Sequence, residues 1–126
     1  MSILVYILTM HPKILIVEDD CYFAKIYQLH LSQAGYLTQI ATNGSQALVS
    51  IDTFHPNLVI LDLILPKIDG FTLLHFFKKI PVIVVSNLDQ QDDMDKCKTL
   101  GAKIFITKES VDYHQLISQI GTLLHH

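Results

Sequence analysis

The sequence predicts an α/β fold in which a single parallel sheet is covered by helices on both of its faces. Five short apolar runs alternate along the 126 residues with segments of helical periodicity, the pattern of successive β/α units. Runs such as "LVIL" and "VIVV" have no polar residue on either face of a strand. Strands of this kind need helices on both sides of the sheet, and the length fits one domain.

The five predicted strands are short runs bounded by turn residues or by charged residues. They lie at residues 13–18, 37–41, 57–62, 81–86 and 103–107. The predicted helices follow them in turn, each with apolar residues recurring on one face. They lie at residues 20–34, 44–53, 69–79, 89–99 and 111–124.

Polar residues at the predicted helix ends support these boundaries. Asp20 and Asp69 stand where an N-cap carboxylate would accept a backbone N–H. Asn43 and Gln46 have the spacing of a capping pair, and Gly35 is suited to end the first helix. Asp89 and Asp92 are expected to open the fourth helix.

Composition excludes several functions. The net charge is −3, the isoelectric point is near 6.1, and all nine basic residues are lysines, so direct nucleic-acid binding is not expected. Cys21 and Cys97 have neither metal-binding nor redox spacing, and we interpret them as ordinary thiols of a cytoplasmic protein.

Residues 1–11 form an apolar extension ahead of the predicted domain, which covers residues 12–124. The apolar stretch is shorter than the roughly 20 residues that span a bilayer, and it lacks the features of a secretory signal. Our first interpretation is an upstream start or a cloning-derived addition, with Met10 the functional beginning. An added edge strand is the second interpretation and a membrane anchor the third, and we expect no membrane association.

Polar side chains lie at the carboxyl ends of four of the predicted strands. The first strand ends on Glu18, Asp19 and Asp20, the third on Asp62, the fourth on Ser86 and Asn87, and the fifth on Thr107 and Lys108. Ligands of open parallel sheets bind at the edge where the strands end. Clustered carboxylates suit Mg²⁺, and a carboxylate can accept a phosphoryl group. A metal ion, a lysine and a hydroxyl could neutralise that group's three equatorial oxygens.

The chain resembles the receiver domain of two-component response regulators over about residues 12–124. The motifs "ILIVEDD", "LVILDLILPKIDGF", "VIVVSN" and "GAKIFITK" occur in the order and spacing of that family. The most specific element is the spacing of Asp62, Pro66, Asp69 and Gly70. The resemblance implies the strand order 2-1-3-4-5, Mg²⁺ as cofactor, and a sensor histidine kinase or phosphotransfer protein as phosphoryl donor.

The resemblance also implies roles for individual residues. Asp62 would be the phospho-acceptor and a metal ligand, together with Asp19 as a direct ligand, Glu18 acting through water, and the backbone carbonyl of Ile64. Ser86 and Lys108 would contact the phosphoryl group as catalytic residues, and Ser86 and Phe105 would form the conformational switch. Asp20 would cap the first helix. The chain would then catalyse its own phosphorylation and dephosphorylation without being a conventional enzyme.

Two departures from the family pattern affect this edge of the sheet. Glu109 stands where the family usually has a proline in a cis peptide, so we expect a trans peptide and a carboxylate competing for Lys108. Phe105 lacks the hydroxyl of the commoner tyrosine, so any switch would depend on packing alone.

The main alternative is a pseudo-receiver, which would be a protein-interaction module that works without phosphate. A flavodoxin-like cofactor binder is disfavoured because no Gly- or Ser/Thr-rich phosphate loop follows the first strand. A hydrolase-type phosphatase is disfavoured because Ile64 stands where a second acidic residue would be needed. The downstream partner is unknown, and the resemblance implies a possible homodimer through the fourth and fifth helices.

Overall fold

A computed structural model describes residues 2–3, 11–88 and 90–124 of the chain. The strands are β1 (Lys13–Val17), β2 (Leu37–Ala41), β3 (Leu58–Leu61), β4 (Val82–Ser86) and β5 (Ile104–Thr107). The main helices are α1 (Cys21–Gln33), α2 (Gly44–Phe54), α3 (Gly70–Phe76), α4 (Gln91–Thr99) and α5 (Tyr113–Leu124). A short 3₁₀ turn at Lys108–Ser110 precedes α5.

The five strands form one parallel sheet in the order β2-β1-β3-β4-β5. This confirms the predicted architecture and the predicted strand order. In the register of the two central strands, Val17 of β1 lies opposite Leu61 of β3. The residues that follow these two strands therefore lie side by side.

Each face of the sheet carries its own apolar core, as the fully apolar strands predict. Alternate strand residues such as Leu15, Val59 and Val84 face α2, α3 and α4. The intervening residues, such as Ile16 and Ile60, pack against α1 and α5. Because successive side chains of a strand point to opposite faces of the sheet, β1, β3 and β4 are buried on both faces.

Three of the predicted helix caps are confirmed. The carboxylate of Asp20 accepts the N–H of Tyr22 at 2.9 Å, and that of Asp69 accepts the N–H of Thr72 at 3.0 Å. The backbone hydrogen bond to Thr72 is the largest contribution that lowers the pKa of Asp69. The Asn43 side chain accepts the N–H of Gln46 at 2.9 Å. These bonds satisfy backbone donors that have no partner within the helix.

The third and fifth helices are shorter than the sequence indicated. The third ends at Phe76 instead of Lys79, because the chain must turn back to enter β4 and Ile80 precedes a proline, a position that disfavours helix. The fifth begins at Tyr113, where Asp112 accepts the N–H of Gln115 at 3.1 Å.

Some predictions fall partly or wholly outside the described residues. These are the start of the fourth helix at Asp89 and most of the apolar N-terminal extension. Asp92 does lie in the first turn of α4. No helix within the described ranges combines the length and the apolar character needed to cross a membrane.

Candidate functional site

Backbone pairing between the central strands brings two acidic residues together. Asp62 donates its backbone N–H to the carbonyl of Val17 at 3.0 Å, immediately before Glu18. Glu18 in turn donates its N–H to the carbonyl of Ala41 at the end of β2. Both side chains are buried, with exposed fractions of 1% for Glu18 and 5% for Asp62. Their positions therefore follow from the register of three neighbouring strands.

Glu18, Asp19 and Asp62 form an acidic cluster at the carboxyl edge of the sheet. One carboxylate oxygen from each lies within 4.8 Å of the other two. Oxygens on opposite sides of an octahedral Mg²⁺ would be about 4.2 Å apart, from metal–oxygen distances of about 2.1 Å. Asp19 is exposed, so water could complete the coordination. The cluster fits the size and the all-oxygen chemistry of a Mg²⁺ site.

The ammonium of Lys108 bridges the two buried carboxylates. Its Nζ lies 2.6 Å from Oε1 of Glu18 and 3.0 Å from Oδ2 of Asp62. The other oxygen of each carboxylate accepts a backbone N–H: Asp20 donates to Glu18 at 3.1 Å, and Ile64 donates to Asp62 at 3.1 Å. Both carboxylates are thus fixed at two points.

The charges at this edge are not balanced. Burial raises the pKa of Glu18 to about 7, and repulsion from Asp62 adds to this effect, while Lys108 and the Asp20 N–H oppose it. Burial alone would lower the pKa of Lys108, but its two carboxylate partners raise it overall. One ammonium therefore does not compensate the acidic cluster, and a divalent cation would relieve the remaining repulsion.

Replacing Glu18 with glutamine should change how stability depends on pH in the absence of divalent cations. The folded-state pKa of about 7 lies above the ordinary value of 4.5, so the folded protein binds this proton more tightly than the unfolded chain does. The stabilisation that comes from protonated Glu18 is complete below pH 4.5 and is lost as the pH rises through 7. Between those values the free energy of unfolding should fall more steeply in wild type than in Glu18→Gln.

Urea unfolding at a series of pH values measures this difference. Glu109→Gln is the matched control because it makes the same change at an exposed position, and it should keep the wild-type dependence. Identical pH profiles for Glu18→Gln and wild type would contradict the prediction.

The remaining predicted site residues lie on β4 and β5 or just after Asp62. Ser86 is fully buried at the end of β4, and its Oγ accepts the N–H of Leu88 at 3.4 Å. The backbone of Ile64 contacts Asp62, whereas its side chain is 56% exposed. Phe105 of β5 is half-buried and packs against the core that faces α4.

The expectation that Glu109 would compete for Lys108 is not supported. Glu109 is exposed, and the ammonium lies instead on Glu18 and Asp62. As predicted, the Lys108–Glu109 peptide is trans, since the described residues contain no cis peptide. The trans peptide does not prevent Lys108 from reaching the acidic cluster.

Sequence reasoning missed one contact of the site. The ring centroid of Phe23, in the first turn of α1, lies 4.5 Å from Nζ of Lys108. The available signal was its position in the first helical turn after the carboxylates. Its pairing with a lysine far along the chain depends on the tertiary fold.

Comparisons with known proteins agree on one family. Residues 14–120 match the response regulator receiver domain. The DNA-binding dual master transcriptional regulator RpaA of Synechocystis is 32% identical over 119 residues, covering 90% of this chain and 49% of that protein. The PhoP regulator of alkaline phosphatase synthesis in Bacillus subtilis is 31% identical, and the match covers 79% of this chain and 43% of that protein. The chain thus spans about half the length of these curated relatives.

Solved structures give the same result. The receiver domain of the Francisella response regulator 1452 superposes with a TM-score of 0.85 and is 28% identical, covering 91% of this chain and 98% of that one. CheY of Borrelia burgdorferi, in a complex with CheX, BeF3 and Mg²⁺, has a TM-score of 0.81 and 27% identity. The match covers 89% of this chain and 88% of that one.

Proposed function

The chain belongs to the response regulator receiver domain family, and from this premise we propose that it accepts a phosphoryl group on Asp62. The observation that carries the proposal is the arrangement around that carboxylate. Asp62 is buried between Lys108 and the Ile64 N–H, and its oxygens lie within reach of Glu18 and Asp19. Positioning and charge neutralisation account for most of the catalysis of phosphoryl transfer.

In the proposed reaction, a carboxylate oxygen of Asp62 attacks phosphorus and the bond from phosphorus to the donor nitrogen breaks. The leaving imidazole takes a proton from solvent, and the product is an acyl phosphate. Lys108 is already 3.0 Å from Asp62, where its charge would stabilise the oxygens of the transferring group. Ser86 would supply a hydroxyl at the end of the neighbouring strand. Water would later hydrolyse the acyl phosphate.

Glu18, Asp19 and Asp62 would hold Mg²⁺, with the carbonyl of Ile64 as a further ligand. The ion supplies positive charge against the phosphoryl oxygens. The Borrelia CheY was crystallised with BeF3 and Mg²⁺, which supports the proposal of the same cofactor here.

The proposed phosphoryl donor is a sensor histidine kinase or a phosphotransfer protein in the cytoplasm. Phosphorylation would alter the packing of Ser86 and Phe105 and so change a surface that binds a downstream protein. A homodimer through α4 and α5 remains a prediction. Several matched relatives are transcriptional regulators, but the matched half alone does not assign that output to this chain.

Intact-mass spectrometry tests the proposed function. Wild-type protein mixed with acetyl phosphate and Mg²⁺ should gain the mass of one phosphoryl group, because the site needs no protein donor to position the acceptor. Borohydride reduction followed by peptide mapping should then locate the modification at Asp62. Without Mg²⁺ phosphorylation should be about tenfold slower, since the acidic cluster would repel the negatively charged donor.

Asp19→Asn separates the role of the metal from that of the acceptor. The variant keeps Asp62 and Lys108 but removes an exposed carboxylate of the acidic cluster, so it should need more Mg²⁺ for half-maximal phosphorylation. A wild type that gains no phosphoryl group would refute the proposal and favour the pseudo-receiver interpretation.

A further inference from the structure

Three groups surround the ammonium of Lys108. Glu18 and Asp62 contact it at 2.6 and 3.0 Å, and the ring centroid of Phe23 lies 4.5 Å away. An aromatic face attracts a cation within about 6 Å, and the attraction is stronger where water is excluded. Lys108 is only 8% exposed. The aromatic ring therefore contacts the ammonium in addition to its two carboxylate partners.

The ring of Phe23 is itself fixed by other aromatic residues. It makes an edge-to-face contact with Tyr22 at 5.6 Å and a tilted contact with Tyr27 at 6.4 Å. Tyr27 in turn packs 6.1 Å from Tyr113, at the start of α5. The Phe23 ring is thus flanked by two aromatic residues of its own helix, and one of them, Tyr27, packs against α5.

The start of α1 fixes the position of Phe23 relative to the carboxylates. Asp20 caps the helix through the N–H of Tyr22, and its own N–H is bound by Glu18. The turn that orients Glu18 therefore also sets the register of the helix that carries Phe23. The ring and the carboxylate are positioned by one continuous set of hydrogen bonds.

We propose that Phe23 is a positioning residue that holds the Lys108 ammonium between Glu18 and Asp62. The side chain of lysine is a flexible four-carbon stem with a compact charge, and contacts with two carboxylates alone leave it free to move away from the line between them. The ring closes one side of that space. This inference rests on the proposed function, because the benefit is an ammonium already in place when phosphorus reaches Asp62.

The test compares Phe23→Leu, which keeps an apolar side chain but removes the aromatic face, with Phe23→Tyr, which keeps the face. The rate of phosphorylation by acetyl phosphate at saturating Mg²⁺ should fall about tenfold in Phe23→Leu, the size expected for loss of one partly desolvated cation–π contact. Phe23→Tyr should restore most of the rate. Urea unfolding should show that both variants remain folded.

Nuclear magnetic resonance gives a second readout that does not depend on phosphorylation. The ring should shift the resonances of the Lys108 Cε protons, and this shift should disappear in Phe23→Leu and return in Phe23→Tyr. Phe54→Leu is the matched control, because the Phe54 ring also lies near a lysine, 5.8 Å from Nζ of Lys13, but outside the candidate site. It should change neither the rate nor the Lys108 resonances.

The outcomes separate this inference from the proposed function. Equal losses of rate in Phe23→Leu and Phe23→Tyr would reduce Phe23 to a packing residue and overturn the inference, as would unchanged Lys108 resonances in Phe23→Leu. If wild type gains no phosphoryl group, the proposed function fails. The claim that Phe23 speeds phosphorylation then fails as well. The resonances would still show whether the ring holds the ammonium.

Discussion

Replacing Asp62 with asparagine is expected to abolish phosphoryl gain without destabilising the fold. Asparagine has nearly the same shape but lacks the nucleophilic carboxylate, so the loss should be complete in the intact-mass experiment. Lys108 would keep Glu18 as a partner at 2.6 Å, so the substitution leaves no buried charge unpaired. It would also remove the Asp62 charge that raises the pKa of Glu18. The free energy of unfolding should therefore stay within about 1 kcal/mol of wild type or rise.

Asp52→Asn is the control for this experiment, since it makes the same change at an exposed position on α2. It should be phosphorylated as wild type is. A phosphoryl group found on Asp62→Asn would mean that the acceptor is misassigned. A large loss of stability would mean that the Asp62–Lys108 pair contributes more to folding than repulsion within the acidic cluster takes away.

Replacing Gly70 with alanine should both destabilise the protein and disturb the acceptor. A Cβ at this position would meet the Cα of Leu63 and would lie 2.8 Å from the carbonyl oxygen of Asp62. Both are backbone atoms, so relief requires movement of the segment that carries Asp62. Overpacking of this kind should lower the free energy of unfolding by about 3 kcal/mol. The protein that remains folded should be phosphorylated more slowly than wild type.

Gly35→Ala is the comparison for a glycine effect without a clash. Gly35 has a φ of +94°, and a Cβ added to it would have no heavy atom within 4 Å beyond its chain neighbours. Alanine there meets backbone strain alone, about 1 kcal/mol. Its phosphorylation rate should match that of wild type once the folded fraction is taken into account. Urea unfolding and the intact-mass time course together measure both variants. Equal effects of the two substitutions would contradict the role given to Gly70.

The sheet and its acidic edge could be predicted because each depends on local sequence. Apolar runs such as "LVIL" leave no face for solvent, and Asp20 and Asp69 begin helices by bonding backbone groups two or three residues away. Once the strands are parallel, the residues at their carboxyl ends share one edge. Glu18, Asp19 and Asp62 meet for this reason.

Contacts between distant segments could not be predicted in the same way. The path of the Lys108 side chain to Glu18 and Asp62, and the ring of Phe23 beside it, depend on how β5 and α1 pack around the end of the sheet. The periodicity around Phe77 predicted a longer third helix, but the return of the chain to Pro81 and β4 ended it early. Tertiary geometry overrode local preference at that position.

The register that sets Glu18 beside Asp62 also has a consequence for folding kinetics. Lys108 and Asp62 are 46 residues apart in the chain, and loops of this size must close before the two can meet. A partly folded chain, such as one with β5 undocked, would lack the ammonium although it had both carboxylates. An ion that binds the three carboxylates would stabilise this partly folded state as well as the native state, relative to the unfolded chain, by mass action. Cation titration would then report on the pairing of β1 with β3, whereas the docking of β5 would be seen at Lys108.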